Sequence, residues 1–115
     1  MALGDGKRAP KSTAQNFDEL GLSLATISND LEKRFKLADD VEGVLVIDTK
    51  SDGVAAEKGL RPGTVIVEVN QVKVKTPRDF SEALKRARKA NQKSVLLLIN
   101  EGGEVRFIGL KLVKG

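Results

Sequence analysis

The chain has 115 residues, of which 40% are apolar and 31% charged, with a formal net charge of +4. That length gives one domain with a modest core, and the apolar fraction argues against disorder. The absence of cysteine and histidine excludes disulfide frameworks, thiolate chemistry and the commonest general base and metal ligand, and no apolar run approaches the ~20 residues that cross a bilayer.

The chain begins with linker composition. Residues 1–16 hold Gly4, Gly6, Pro10, Ser12 and Thr13 among several lysines and arginines, so a flexible tail is expected over 1–16 and the folded domain over 17–115. Met1 to Gly6 shows no apolar segment of a signal peptide. Glu19-Leu20-Gly21-Leu22 then reads as a glycine turn feeding a short strand, Ser23 to Ile27. Gly21 frees the backbone there, so consecutive N–H groups can converge on one concavity suited to a carboxylate. A strand with a free edge beside that concavity would accept an incoming peptide by main-chain pairing.

Ser28 or Asn29 caps a short helix with Leu31 and Phe35 on one face, ending near Ala38 to Asp40. Gly43 to Ile47 is a β-branched run typical of a strand buried on both faces. Ser51-Asp52-Gly53 precedes a small helix over 54–58, closed by Gly59, and Arg61-Pro62-Gly63 is a turn. Val65 to Val69 and Val72 to Val74 form strands joined at Asn70-Gln71. Thr76, Pro77 and Asp79 signpost the start of the longest helix; Phe80, Ala83, Leu84 and Ala87 give it an apolar stripe. Lys85, Arg86, Arg88 and Lys89 complement its dipole, and Asn91 ends it. Ser94 to Ile99 is a central strand, Glu101 to Glu104 a hairpin turn, and Val105 to Val113 the closing strand, with a bend or bulge expected at Gly109.

Gly43-Val44-Leu45-Val46, the block Ala55-Ala56-Glu57-Lys58-Gly59-Leu60-Arg61-Pro62-Gly63-Thr64-Val65-Ile66, then Val69-Asn70 and Thr76-Pro77-Arg78-Asp79-Phe80, together resemble a bacterial PDZ domain of HtrA/Do-like serine proteases. The resemblance spans residues 19–113, and the opening Leu-Gly-Leu-Ser-Leu is most similar to the second, C-terminal PDZ domain of such proteins. It implies an α+β fold: a small, partly open β-barrel or sandwich of five to six strands with two to three helices, in the circularly permuted strand order. It also implies a periplasmic location and a parent serine endopeptidase whose protease domain lies outside this chain. Two positions depart from family patterns. The long helix lacks the histidine with which animal-type members begin it, leaving Phe80 near that place and an apolar preference. Gln71 stands where the family usually has glycine.

The resemblance implies a carboxylate loop of Leu20, Gly21 and Leu22, and a peptide-pairing strand of Leu22, Ser23, Leu24 and Ala25. The expected pocket for the last ligand side chain is lined by Leu22, Leu24, Phe80, Ala83, Leu84 and Ala87. Expected partners are protein C-termini and unfolded segments, or, as a rival, sister protease and PDZ domains in an oligomer. No cofactor, no metal and no catalytic residue is expected, since nothing here activates a serine and no Gly-x-Ser-x-Gly elbow occurs. The basic end of the long helix is accounted for by its dipole, and no nucleic-acid partner is expected. Asp39, Asp40 and Glu42 lack calcium-loop spacing, and Gly102-Gly103 lacks the strand–helix context of a phosphate loop.

Overall fold

The apolar runs and turn residues of the sequence assemble into one antiparallel sheet flanked by short helices, as seen in a computed structural model that describes residues 14–38 and 40–112. The elements are β1 (Ala14–Phe17), β2 (Leu22–Thr26), α1 (Asn29–Phe35), β3 (Val44–Thr49), α2 (Val54–Glu57), β4 (Val65–Val69), β5 (Val72–Lys73), α3 (Pro77–Lys89), β6 (Ser94–Glu101) and β7 (Glu104–Lys111). The sheet order is β1-β2-β3-β4-β6-β7, with β5 paired to β4. The expected α+β class with three helices holds. The sheet is open, and its described strands number seven where five to six were expected. β1 accounts for part of that difference: it begins at Ala14, inside the stretch expected to be tail. Residues 1–13, 39 and 113–115, including the expected end of the closing strand at Val113, lie outside the described residues.

The core forms where the strand faces meet α3. Leu24, Val46, Ile66, Leu97, Ile99 and Leu110 are fully or almost fully buried, together with the α3 stripe Phe80, Ala83, Leu84 and Ala87. Each large aliphatic side chain so placed contributes about 1.5–3 kcal/mol. The Val44–Val46 run is buried throughout, as a strand covered on both faces requires.

Helix α3 sets the wall of the candidate site, and its ends are tightly specified. The Thr76 hydroxyl accepts from the Asp79 N–H at 3.0 Å, and the Asp79 carboxylate accepts from the Thr76 N–H at 3.2 Å, a complete capping box with Pro77 in the first turn. At the other end Asn91 adopts φ 62°. The Asn91 N–H bonds the Arg88 carbonyl at 2.9 Å and the Gln92 N–H bonds the Ala87 carbonyl at 2.9 Å, closing a Schellman motif. Thr76→Ala removes one side of the capping box and is expected to cost about 0.5–2 kcal/mol, read as a lower urea midpoint with unchanged slope.

Several local expectations are revised. α1 stops at Phe35 because Lys36 turns left-handed (φ 59°), three residues before the expected end, and Leu31 and Phe35 are only half-buried. α2 has Gly53 as its N-cap without a side-chain cap, and ends at Glu57. Asn70 and Gln71 both take positive φ (51° and 69°), the pattern of a two-residue type I′ hairpin turn, so Gln71 fills a position that glycine usually occupies. The β6–β7 register runs without interruption from Ser94↔Lys111 to Glu101↔Glu104, so Gly109 marks no bulge.

Candidate functional site

The loop Asp18 to Gly21 connects β1 to β2, and its main chain is held from behind. Leu20 C=O accepts from the Ala55 N–H at 3.0 Å, and Gly21 C=O accepts from the Lys50 N–H at 2.9 Å. In a trans peptide the carbonyl and the following N–H point in opposite directions. Anchoring these two carbonyls toward α2 and the end of β3 therefore turns the Gly21 and Leu22 N–H groups the other way, toward β1. Gly21 adopts φ +73°, and its Cα lies so close to Gly53 that a Cβ on Gly21 would stand 2.9 Å from the Gly53 Cα. The turn and the close approach both require glycine here.

The donors of this loop are engaged. Leu20 N–H and Gly21 N–H both donate to the Phe17 carbonyl oxygen, at 3.0 and 2.9 Å. The expected free edge of β2 is covered as well. β1 pairs with it antiparallel in the register Ala14↔Ala25, Gln15↔Leu24, Asn16↔Ser23 and Phe17↔Leu22. This corrects the expectation of a bare strand beside α3, and the cause is local. A four-residue connection brings the preceding segment straight back along β2, and β2's main-chain groups supply the pairing that the segment's own composition does not announce.

Phe17 anchors β1. Its ring meets Phe80 edge-to-face, with centroids 5.1 Å apart and an interplanar angle of 81°, the arrangement favoured by the aromatic quadrupoles. Phe17 is buried, whereas Ala14, Gln15 and Asn16 are exposed. The Ser23 hydroxyl donates to Asn16 Oδ1 at 2.5 Å. Between β1 and α3 remains an open groove of about 570 Å³, walled on the helix side by Ser81, Leu84, Lys85 and Arg88. Arg88 and Glu19 form an ion pair that ties the loop to the helix.

The sequence-derived site residues therefore fall into distinct places. Of the expected carboxylate loop, Leu20 and Gly21 lie in the β1–β2 connection and Leu22 opens β2, which contains the expected pairing residues Leu22 to Ala25 and ends at Thr26. Phe80 borders the volume that the Phe17 ring fills, with Leu22 opposite Phe17 in register. Leu24, Ala83 and Ala87 are buried in the core, and of the six expected pocket residues only Leu84 borders the remaining groove. Sequence reasoning missed Ser81, Lys85 and Arg88. They repeat at helical spacing one step around α3 from the buried stripe, and that offset was the available signal.

Among the described residues no helix is long and apolar enough to cross a membrane, and no group of acidic, histidine or cysteine side chains is placed to hold a metal.

Comparison with known proteins places this geometry. A family model described as PDZ domain matches residues 19–112. A probable periplasmic serine endoprotease, DegP-like, of Chlamydia pneumoniae is 30% identical over 105 residues, covering 90% of this chain and 21% of the relative. A protein of the same description from Bartonella henselae is 40% identical over 77 residues, covering 67% of this chain and 15% of the relative. The chain thus spans about a fifth or less of the length of these relatives. In fold it is similar to the HtrA3 PDZ domain solved with the phage-derived ligand FGRWV (TM-score 0.65, 19% identity, 85% of this chain and 86% of that one). It is equally similar to the HtrA-type protease AlgW solved with a decapeptide (TM-score 0.65, 20% identity, 85% of this chain and 29% of that one). By its sheet order, its glycine loop and its match to the family model, the chain belongs to the PDZ domain family.

Proposed function

We propose that the chain is a non-catalytic peptide-binding module of a longer, periplasmic HtrA/Do-like serine endoprotease, the second of its PDZ domains. It takes C-termini or unfolded segments as an added strand on β2. The observation that carries this reading is β1 itself. An extended segment lies along β2 with an aromatic side chain buried against Phe80 and a carbonyl held by the Leu20 and Gly21 amides. That is the set of contacts a peptide ending at the loop needs, with its terminal carboxylate in place of the Phe17 carbonyl. The peptide-bound neighbours of similar fold and the names of the relatives support the same class of function.

The energetics set a modest affinity. About four main-chain hydrogen bonds at ~0.5–1.5 kcal/mol each and one buried side chain at ~1.5–3 kcal/mol work against an association cost of ~4 kcal/mol or more. The resulting dissociation constant is about micromolar or weaker.

The covered edge of β2 favours a second reading, a docking domain that contacts sister domains of the parent protein and takes no free peptide. Titration of the chain with a peptide library bearing free or amidated C-termini separates the two. Binding that is lost on amidation is the expected result. Failure of every peptide to bind, with self-association or contact to a neighbouring domain of the parent, supports the docking reading instead.

A further inference from the structure

We infer that β1 is a built-in occupant of the strand-binding groove, so that a peptide enters only by exchange with Ala14–Phe17; this rests on the peptide-binding reading above. Three features of β1 make it an occupant rather than a fixed part of the sheet. It has four residues, and three of them are exposed. Among the described residues it pairs with β2 alone. Its principal buried contacts are the Phe17 ring against Phe80 and the Phe17 carbonyl at the Leu20 and Gly21 amides.

The same two contacts define what displaces it. The loop holds a neutral carbonyl in the described state, whereas a chain terminus brings an ionised carboxylate to the same donors. Charge-assisted hydrogen bonds are roughly twice as strong as neutral ones, so a free terminus out-competes Phe17 at the loop while matching it along β2. The displacing partner is therefore an extended peptide with a free carboxylate and a large apolar last residue, and an internal segment of the same sequence is disfavoured. Apparent affinity is reduced by the fraction of molecules in which β1 has left the groove.

The test uses the full chain and a synthetic peptide copying Ser12 to Phe17 with a free C-terminal carboxylate. Gln15→Pro changes an exposed residue and removes the N–H that β1 turns toward Leu24 of β2, which weakens its pairing without touching α3 or the loop. This variant is expected to bind the peptide about tenfold or more tightly than the unmodified chain, the gain being the lost competition from β1. In the unmodified chain, saturation with the peptide is expected to speed amide hydrogen exchange at Gln15 and Phe17, whose N–H groups face β2. That second measurement does not depend on the variant's folding. Equal affinities for the two forms, or binding that leaves exchange in β1 unchanged, overturn the exchange mechanism and leave peptide binding standing at another surface. Absence of binding to both forms, by this peptide and by the free-carboxylate library, removes the peptide-binding reading itself.

Discussion

Phe80→Ala is expected to lower stability by about 3–5 kcal/mol, the usual cost of truncating a fully buried aromatic. The side chain is 0% exposed and sits in the first turns of α3, where it joins the helix stripe to the sheet core. Two losses add. The removed ring takes its transfer energy with it, and the cavity that remains is walled by a capped helix and a hydrogen-bonded sheet that have little room to collapse. A third effect distinguishes Phe80 from other core positions. Its edge-to-face partner is Phe17, so the variant also frees the anchor of β1. Against a typical domain stability of ~5–15 kcal/mol, chemical denaturation should show a large drop in midpoint, with the residues of β1 exchanging fastest in the folded fraction. A loss below about 1 kcal/mol would mean that the ring is not packed as described.

Gly21→Ala carries the second large effect, on the order of 2–4 kcal/mol, from two separate sources. A left-handed conformation costs an L-residue about 1–2 kcal/mol, and Gly21 has φ +73°. The new methyl would also stand 2.9 Å from the Gly53 Cα, a backbone atom that cannot swing aside. Gly53→Ala isolates the second source. Its φ is −88°, acceptable for alanine, yet its Cβ would stand 2.9 Å from the Gly21 Cα and 3.1 Å from the Leu20 carbonyl. Thermal melts of the two single variants should therefore rank Gly21→Ala as the more destabilised, by about the left-handed cost. Both should weaken peptide binding, because each displaces the loop whose carbonyls are pinned by Ala55 and Lys50. An equal ranking would assign the whole effect to crowding.

How much of this was legible in the sequence depends on where the determining forces lie. α3 was readable end to end because its signals are local: Thr76, Pro77 and Asp79 at the start, Asn91 just past the end, and a stripe at helical spacing between them. β3 and β4 were readable from their nearly unbroken β-branched runs, buried where the strands enter the core, and β6 from a continuous aliphatic run, although only one of its faces is buried and Leu96 is exposed. β1 was not. Ala14-Gln15-Asn16-Phe17 has a single large apolar residue and no alternation, and its extended conformation comes from pairing with β2, which no short window contains. Gly109 misled for the opposite reason. A glycine in a strand suggests a bend, but nothing lies within 4 Å of where its Cβ would be and the ladder passes through it unbroken. The site was split in the same way. The loop followed from Leu20-Gly21-Leu22, while the groove wall of Ser81, Lys85 and Arg88 reads in sequence as an ordinary solvent face.

The hairpin between Phe17 and Leu22 spans four residues, and so short a tether fixes how much competition a visiting chain meets. A segment tied this closely behaves as though present at an effective concentration of about millimolar or above. A free terminus at micromolar abundance must then hold the groove with an advantage on the order of a thousandfold to occupy half the molecules. If β1 exchanges with ligand as proposed, such a threshold favours termini presented at high local concentration.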